Sequence, residues 1–146
     1  MCFSFFLNCD GWEESAEFVN VAEVELVFHV VSGLLKAGRS ADSIGVLSFY
    51  NAQVNSLVHK LNGLLPASGV GTVDKFQGQE RDIMVLSCVR SNRKSDVGFL
   101  RSPQRINVSI TRARFGLIIV GNFRTLNCNR LWRQVIEHHW DVGSYS

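Results

Sequence analysis

The stretch VGTVDKFQGQERDIMVLSCV, residues 70–89, decides the fold. Its second half, IMVLSCV (83–89), is almost continuously apolar, which is typical of a strand buried on both faces of a parallel sheet. Its first half, VGTVDKF (70–76), reads as another strand that runs into the polar loop QGQERD (77–82). A sheet of this kind needs helices on both faces, and the flanking sequence contains them.

Strands and helices alternate along the rest of the chain. Asn20 and Glu23 form a capping-box pattern at the start of the first helix, although Ser15 could serve instead, and Gly38 fits the position just after its end. Pro103 suits the first turn of a later helix. The predicted fold class is α/β, a mostly parallel sheet with helices on both faces, in one domain over 1–146 with a frayed tail at 141–146. The further strands are 3–8, 44–50 and 116–122, and the helices are 16–37, 52–65, 104–114 and 131–140.

Composition excludes several classes of protein. The chain has 146 residues, of which 46% are hydrophobic and 19% charged, and apolar residues recur throughout, so it is not a disordered protein. No apolar run approaches the length of about 18 residues that spans a bilayer. The four cysteines lack zinc-ligand spacing and read as free thiols in a reducing, intracellular compartment, with cytoplasm and nucleus both open.

Charge is unevenly distributed. Residues 90–114 carry seven basic side chains and one acid, whereas residues 1–42 are predominantly acidic. A basic cluster is the electrostatic pattern expected for contact with phosphates, and Arg93 and Lys94 in its loop are candidates. A solvated loop that keeps the protein soluble explains the same composition equally well.

Several catalytic motifs are absent from the sequence. It has no G-x-x-x-x-G-K-[ST] phosphate cradle, no G-x-G-x-x-G and no G-x-S-x-G. His138 and His139 are adjacent, so they point to different sides of a helix and make a poor metal pair. We therefore expect no metal site within the chain.

Three segments carry a family resemblance that covers about residues 3–139. GVGTVDKFQGQERDIMVLSCVRSN (69–92) resembles helicase motif V, and VGFLRSPQRINVSITRARFGLIIVGN (97–122) contains a match to motif VI. IGVLSFYNAQV (44–54) is similar to the motif IV region, with Phe49 in place of the usual proline. The chain thus resembles the second RecA-like domain of superfamily-1B helicases, in the group of the nonsense-mediated-decay helicase and senataxin.

The resemblance implies a P-loop NTPase-like fold without its Walker A loop. It implies that the domain shares ATP and Mg²⁺ with a first RecA-like domain and grips single-stranded RNA or DNA. Arg112 would be the catalytic arginine finger, because a guanidinium can stabilise charge on the transferred phosphoryl group. Gly78 and Glu80 would lie at the nucleotide. The residues implied for the nucleic acid are Ser48, Tyr50, Thr72 and Gln77.

Each assignment has a structural alternative. Arg112 could be a surface helix arginine, Glu80 an acid at a helix N-terminus, and Tyr50 a packing residue. Arg112 and Arg114 fall on one predicted helix, where their side chains point about 200° apart, so that only one can be the finger. Because ligands of parallel sheets bind at the carboxyl ends of the strands, we expect the polar clusters of all three motifs to meet there.

The sequence leaves two functions open. The first is the C-terminal motor half of an ATP-dependent helicase with no membrane association. The second is a non-catalytic RecA-like binding module that lost or never had the ATP-binding half. The intact motifs favour the first, and the initial methionine favours a complete short product.

Overall fold

The computed structural model describes residues 3–13, 18–76, 78–94, 96–139 and 144–145. Six parallel strands form one sheet in the order β3-β2-β4-β5-β1-β6. All strands therefore begin at one edge of the sheet, here called the amino edge, and end at the opposite edge, the carboxyl edge. The strands are β1 (Phe3–Asn8), β2 (Ile44–Ser48), β3 (Val70–Thr72), β4 (Arg81–Ser87), β5 (Ala113–Gly121) and β6 (Ser144–Tyr145).

Helices cover both faces of the sheet, which confirms the predicted fold class. Alternate residues of β2, β4 and β5 point to opposite faces and divide the core into two clusters. The first and second helices pack on one face, and the third to fifth pack on the other. They are α1 (Val21–Lys36), α2 (Asn51–Lys60), α3 (Pro103–Ile110), α4 (Phe123–Asn127) and α5 (Arg130–His139).

The ends of α1 match the sequence signals. The Asn20 side chain accepts a hydrogen bond from the backbone N–H of Glu23, so Asn20 caps the helix as predicted. Gly38 follows the helix with a φ of +99°, the left-handed conformation that favours glycine. The helix starts at Val21 rather than residue 16, because its capping residue is Asn20.

Several predicted elements are shorter than expected; the helix predicted over 52–65, for example, ends at Lys60. The helix predicted over 104–114 ends at Ile110, and its last four residues form a turn and the start of β5. The strand predicted over 70–76 ends at Thr72, because the chain must then cross one face of the sheet to begin β4 at the amino edge. The helix α4 was not predicted. In the predicted tail, 144–145 pair with β1 as β6, and residues 141–143 and 146 lie outside the described residues.

A buried polar cluster joins the start of α1 to the end of β4. Glu23 is fully buried, and its Oε1 accepts hydrogen bonds from the Ser87 hydroxyl at 2.7 Å and the Val89 N–H at 2.9 Å. Gln53 of α2 donates to the Ser87 hydroxyl and to the Asn20 carbonyl. These four polar side chains, Asn20, Glu23, Gln53 and Ser87, therefore tie both helices of one face to the central strand.

Val89 adopts a backbone conformation that is costly for its residue type. Its φ is +70°, and a β-branched side chain in this region is a genuine outlier. The Glu23 carboxylate accepts from its N–H, and the Asn20 amide donates to its carbonyl oxygen at 3.0 Å. These two bonds hold the turn that directs Arg90 back into the protein.

Glu23 makes the stability of the fold depend on pH. Burial raises the pKa of its carboxyl from the ordinary value of 4.5 to about 7. The folded state therefore binds more protons than the unfolded state between these values, and the free energy of unfolding falls as pH rises through this range.

We expect Glu23→Gln to remove this dependence of the free energy of unfolding on pH, measured by urea denaturation at a series of pH values. Glu25→Gln, an exposed neighbour on α1, is the control; an unchanged slope in Glu23→Gln would contradict the prediction.

Candidate functional site

Glu80 and Arg112 lie side by side at the amino edge. Each directly precedes a strand, and the next residues, Arg81 and Ala113, are paired in the register of β4 and β5. Glu80 is exposed and lies in a loop before a strand, so its alternative reading as an acid at a helix N-terminus is wrong. The structure thus brings the motif V glutamate and the motif VI arginine together.

The Arg112 side chain is oriented by neutral groups. Its Nη2 donates to the Thr111 hydroxyl at 3.1 Å and its Nη1 to the Gln79 carbonyl at 3.5 Å, while its Nε is buried without a hydrogen-bond partner among the described residues. No described carboxylate forms an ion pair with it. Its charge therefore remains available to an anion next to Glu80.

Arg112 and Arg114 do not lie on a helix, contrary to the prediction. Arg112 is in the turn after α3, and Arg114 is in β5, where its Nε donates to Asp82 at 2.9 Å. The two arginines differ in their partners, because Arg114 is paired with Asp82 and no described carboxylate pairs with Arg112.

The segment 73–80 joins the two edges of the sheet. It leaves Thr72 at the carboxyl edge, buries Phe76 in the core, and reaches Glu80 at the amino edge. Gly78 has a φ of +83°, a conformation that glycine adopts without strain, and is exposed next to this loop end. The expectation that all three motifs meet at the carboxyl edge is wrong, because α3 and the segment 73–80 both return the chain to the amino edge.

Two residues predicted to contact nucleic acid are buried. Ser48 is fully buried, and its hydroxyl donates to the Ser87 carbonyl at 2.9 Å. The Tyr50 ring is 6% exposed and packs between Phe18 and Phe99, with ring centroids 5.0 and 5.2 Å away. Neither side chain has the exposure that a direct contact requires, so the packing alternative for Tyr50 describes this structure. Gln77 lies outside the described residues.

Thr72 keeps a position that a ligand can reach. It ends β3 at the carboxyl edge, and its hydroxyl oxygen accepts from the Lys75 N–H at 3.3 Å, which leaves the hydroxyl proton for another acceptor. A cavity of about 170 Å³ opens beside it. Its other walls include the side chains of Asn51, Phe99 and Arg105.

Arg90 holds together the carboxyl edge, a role that the sequence did not suggest. Its Nε donates to Glu13 at 2.9 Å, its Nη1 donates to the Tyr50 hydroxyl at 3.0 Å, and its guanidinium lies over the Phe18 ring at 4.7 Å. The Arg90 and Glu13 side chains are only 6% and 5% exposed. Burial opposes the charged guanidinium, but the hydrogen bonds from Arg90 to Tyr50 and Glu13 outweigh it and raise its pKa. No local signal links Glu13 to a partner so far along the chain.

Ion pairs take up much of the basic stretch 90–114. Its paired members and their carboxylates are Arg90 with Glu13 and Asp96, Arg101 with Asp96, Arg105 with Asp74, and Arg114 with Asp82. In the described part of the chain, Arg93, Lys94 and Arg112 have no such partner. The charge that can attract phosphates is therefore smaller than the composition suggested.

Neither a metal centre nor a membrane span is found among the described residues. They contain no group of three or more histidine, cysteine, aspartate or glutamate side chains that could hold a metal ion. No helix in the same residues is long and apolar enough to cross a membrane.

The contrast between two arginines tests the role of Arg90. We expect Arg90→Ala to lower the free energy of unfolding by about 3–5 kcal/mol, because it leaves the buried Glu13 carboxylate without its cationic partner. Arg101→Ala is the control, since Arg101 is 68% exposed and pairs with the same Asp96; its loss should cost about 0–1 kcal/mol. Urea denaturation measures both, and equal losses would contradict the assignment.

Comparison with known proteins identifies the family. The family model described as an AAA domain matches residues 4–124. The chain is 41% identical over 145 residues to Regulator of nonsense transcripts 1 of Dictyostelium discoideum, 38% to the ATP-dependent helicase NAM7 of Saccharomyces cerevisiae, and 38% to the 5'-3' DNA helicase ZGRF1 of Mus musculus. These matches cover 92%, 95% and 94% of this chain but only 11%, 15% and 8% of the relatives.

A solved structure shares the fold. It is the C-terminal domain of a possible DNA helicase from Lactobacillus plantarum, with a TM-score of 0.55 and 11% identity, and the match covers 99% of this chain and 85% of that one. The fold and the sequence relatives agree with the resemblance to superfamily-1 helicases. The chain belongs to the AAA domain family, in the helicase C-terminal region that it shares with the nonsense-transcript regulators.

Proposed function

We propose that the chain is the C-terminal motor domain of an ATP-dependent helicase, with Arg112 as the residue that acts on the ATP phosphates. The observation that carries the proposal is the position of Arg112 beside Glu80, at one end of a segment whose other end is Thr72. The contact with ATP and the contact with single-stranded nucleic acid would thereby lie at the two ends of one continuous segment, 73–80.

The surroundings of Arg112 suit a phosphate ligand. Its described partners are a hydroxyl and a carbonyl, so no carboxylate competes for the guanidinium, and its buried Nε lacks a hydrogen-bond partner. A guanidinium forks onto two phosphate oxygens and stabilises the charge that develops during phosphoryl transfer. Arg112 would therefore act mainly on the transition state, whereas affinity for ATP would come largely from the first domain.

The loop before β4 would complete the nucleotide contact. The exposed Glu80 carboxylate can accept hydrogen bonds from ribose hydroxyls, and Gly78 lets the backbone approach a ligand without a Cβ. Mg²⁺ would be held by acids of the first RecA-like domain, because the described residues offer no cluster of acidic ligands for it. Bound ATP and Mg²⁺ supply the phosphoryl-transfer chemistry; this chain contributes positive charge and orientation.

Single-stranded RNA or DNA would run along the carboxyl edge. Thr72 can donate its hydroxyl proton to a phosphate, and we propose the same contact for Gln77. Closure of the two domains around ATP would move Glu80 and Arg112, and the segment 73–80 would transmit that movement to the grip at Thr72.

The catalytic role of Arg112 is testable in a two-domain protein that supplies a Walker A lysine. We expect Arg112→Ala to lower turnover about 10³-fold or more while ATP affinity changes little. Arg114→Ala should change turnover by far less, because it removes only an exposed ion pair with Asp82. Arg112→Lys keeps the charge but loses the fork, so its activity should be intermediate. Near-normal turnover of Arg112→Ala would overturn the assignment.

The proposed contact of Thr72 and Gln77 with single-stranded RNA or DNA, here called the strand grip, is testable on the chain itself. We expect weak, sequence-independent binding to single strands, with a log–log salt slope of about −1.4 to −2 for two or three phosphate contacts. Thr72→Val should weaken binding about 10-fold, because it removes one hydrogen bond to a charged group, whereas Thr72→Ser should not. Fluorescence anisotropy of a labelled oligonucleotide measures both. A flat salt response, or equal affinity of Thr72→Val and Thr72→Ser, would contradict the proposal.

A further inference from the structure

A second cavity opens at the carboxyl edge, on the side of β1 and β5. Its volume is about 500 Å³, and Trp12, Arg93 and Arg124 are among its lining residues. None of these three was assigned to the nucleotide contact or to the strand grip proposed above. The cavity therefore needs an explanation of its own.

The walls of this cavity are held in place by hydrogen bonds. The Asn122 amide donates to the Ser91 hydroxyl at 2.8 Å, and the Asn92 amide donates to Glu13 Oε1 at 2.8 Å. The Glu13 N–H donates in turn to the Ser91 carbonyl at 3.1 Å, which fixes the residue next to Trp12. A ligand would thus meet a surface that is already shaped.

Trp12 presents a large aromatic surface to this space. It is 58% exposed, whereas Trp132 is fully buried in the core. The Arg93 guanidinium lies 5.9 Å from the centre of the Trp12 ring. An exposed tryptophan beside a guanidinium is the arrangement on which nucleic-acid bases stack.

The cations of the cavity differ from most arginines in the basic stretch. Arg93 and Arg124 are exposed, and neither forms an ion pair with a described residue. Asp10, the one acid among the described lining residues, has an Oδ1 that accepts from the Asn8 amide at 2.9 Å. The cavity therefore combines an aromatic face, two available guanidinium groups and a single carboxylate that can accept from a hydroxyl or amino group.

We propose that this cavity binds one nucleotide unit, with its base stacked on Trp12 and its phosphate held by Arg93 and Arg124. That this nucleotide belongs to a bound single strand of RNA or DNA rests on the proposed function. Thr72 ends β3 at the same edge, and β1 lies four strand positions from β3 in the sheet, a distance of about 19 Å at the usual strand spacing. A single strand gripped at Thr72 and crossing this edge would reach Trp12.

Binding of a labelled single-stranded oligonucleotide to the chain and its variants tests the inference. Trp12→Ala should weaken binding about 5- to 100-fold, and Trp12→Phe, which keeps a stacking face, should restore most of it. Phe115→Ala is the aromatic control, because Phe115 is 48% exposed near the start of β5. Arg124→Gln should make the salt slope shallower by about 0.7, and Arg39→Gln, an exposed arginine after α1, should not.

The fluorescence of Trp12 reports contact directly. The difference between the wild-type and Trp12→Phe signals isolates this residue, and the oligonucleotide should protect it from acrylamide quenching. Protection by adenosine monophosphate without oligonucleotide binding would support the cavity and identify a free nucleotide as its source, and it would contradict the strand grip.

The cavity and the strand grip can fail separately. Unchanged oligonucleotide affinity in Trp12→Ala and no protection of Trp12 from quenching in the wild type, with weaker binding in Thr72→Val, would overturn the cavity and leave the proposed function intact. Weaker binding in Trp12→Ala together with unchanged binding in Thr72→Val would support the cavity and contradict the Thr72 contact. Absence of binding by both probes would overturn the inference.

Discussion

The hydrogen bonds that hold Val89 in a left-handed turn are the constraint on which the carboxyl edge depends. Such a conformation costs about 1–3 kcal/mol, and it persists only where its surroundings determine it. Here Glu23 and Asn20 supply those surroundings from the start of α1. The turn sends Arg90 inward rather than into solvent. Arg90 can then bind Glu13 and the Tyr50 hydroxyl, so a polar interaction under the surface arranges the aromatic residues above it.

The same constraint decides which charges remain for ligands. The Arg90 guanidinium is buried between Glu13 and Tyr50, so it stabilises the fold and is not accessible to a ligand. The exposed ion pairs of Arg101, Arg105 and Arg114 reduce the local positive potential further. Among the arginines of residues 90–124, those without a described carboxylate partner lie in two places. Arg112 stands at the amino edge beside Glu80, and Arg93 and Arg124 stand at the carboxyl edge around Trp12. Their separation fits two different anionic ligands.

The sequence could predict what is local. The predictions of β2, β4 and β5 from their apolar runs, and of Asn20 as the cap of α1, are confirmed. Each of these features depends on neighbours only a few residues away. Glu80 and Arg112 were assigned from motifs, but their common edge was not foreseen, because it depends on how α3 and the segment 73–80 cross the sheet. The pairing of Arg90 with Glu13 and the burial of Ser48 arise only from tertiary packing, which leaves no pattern in either local sequence.

The crossing of the segment 73–80 would also let one short motif contact both ligands of the proposed function. A three-residue β3 ends early, so the chain must return over the face of the sheet within eight residues to begin β4. Phe76 is buried midway and fixes the segment against the core, while Asp74 near one end and Glu80 at the other are exposed. In the proposed function, a displacement imposed at Glu80 would reach Thr72 through Phe76 and the packed core that holds it. Transmission of this kind is the mechanical property that the proposed motor domain would require of this segment.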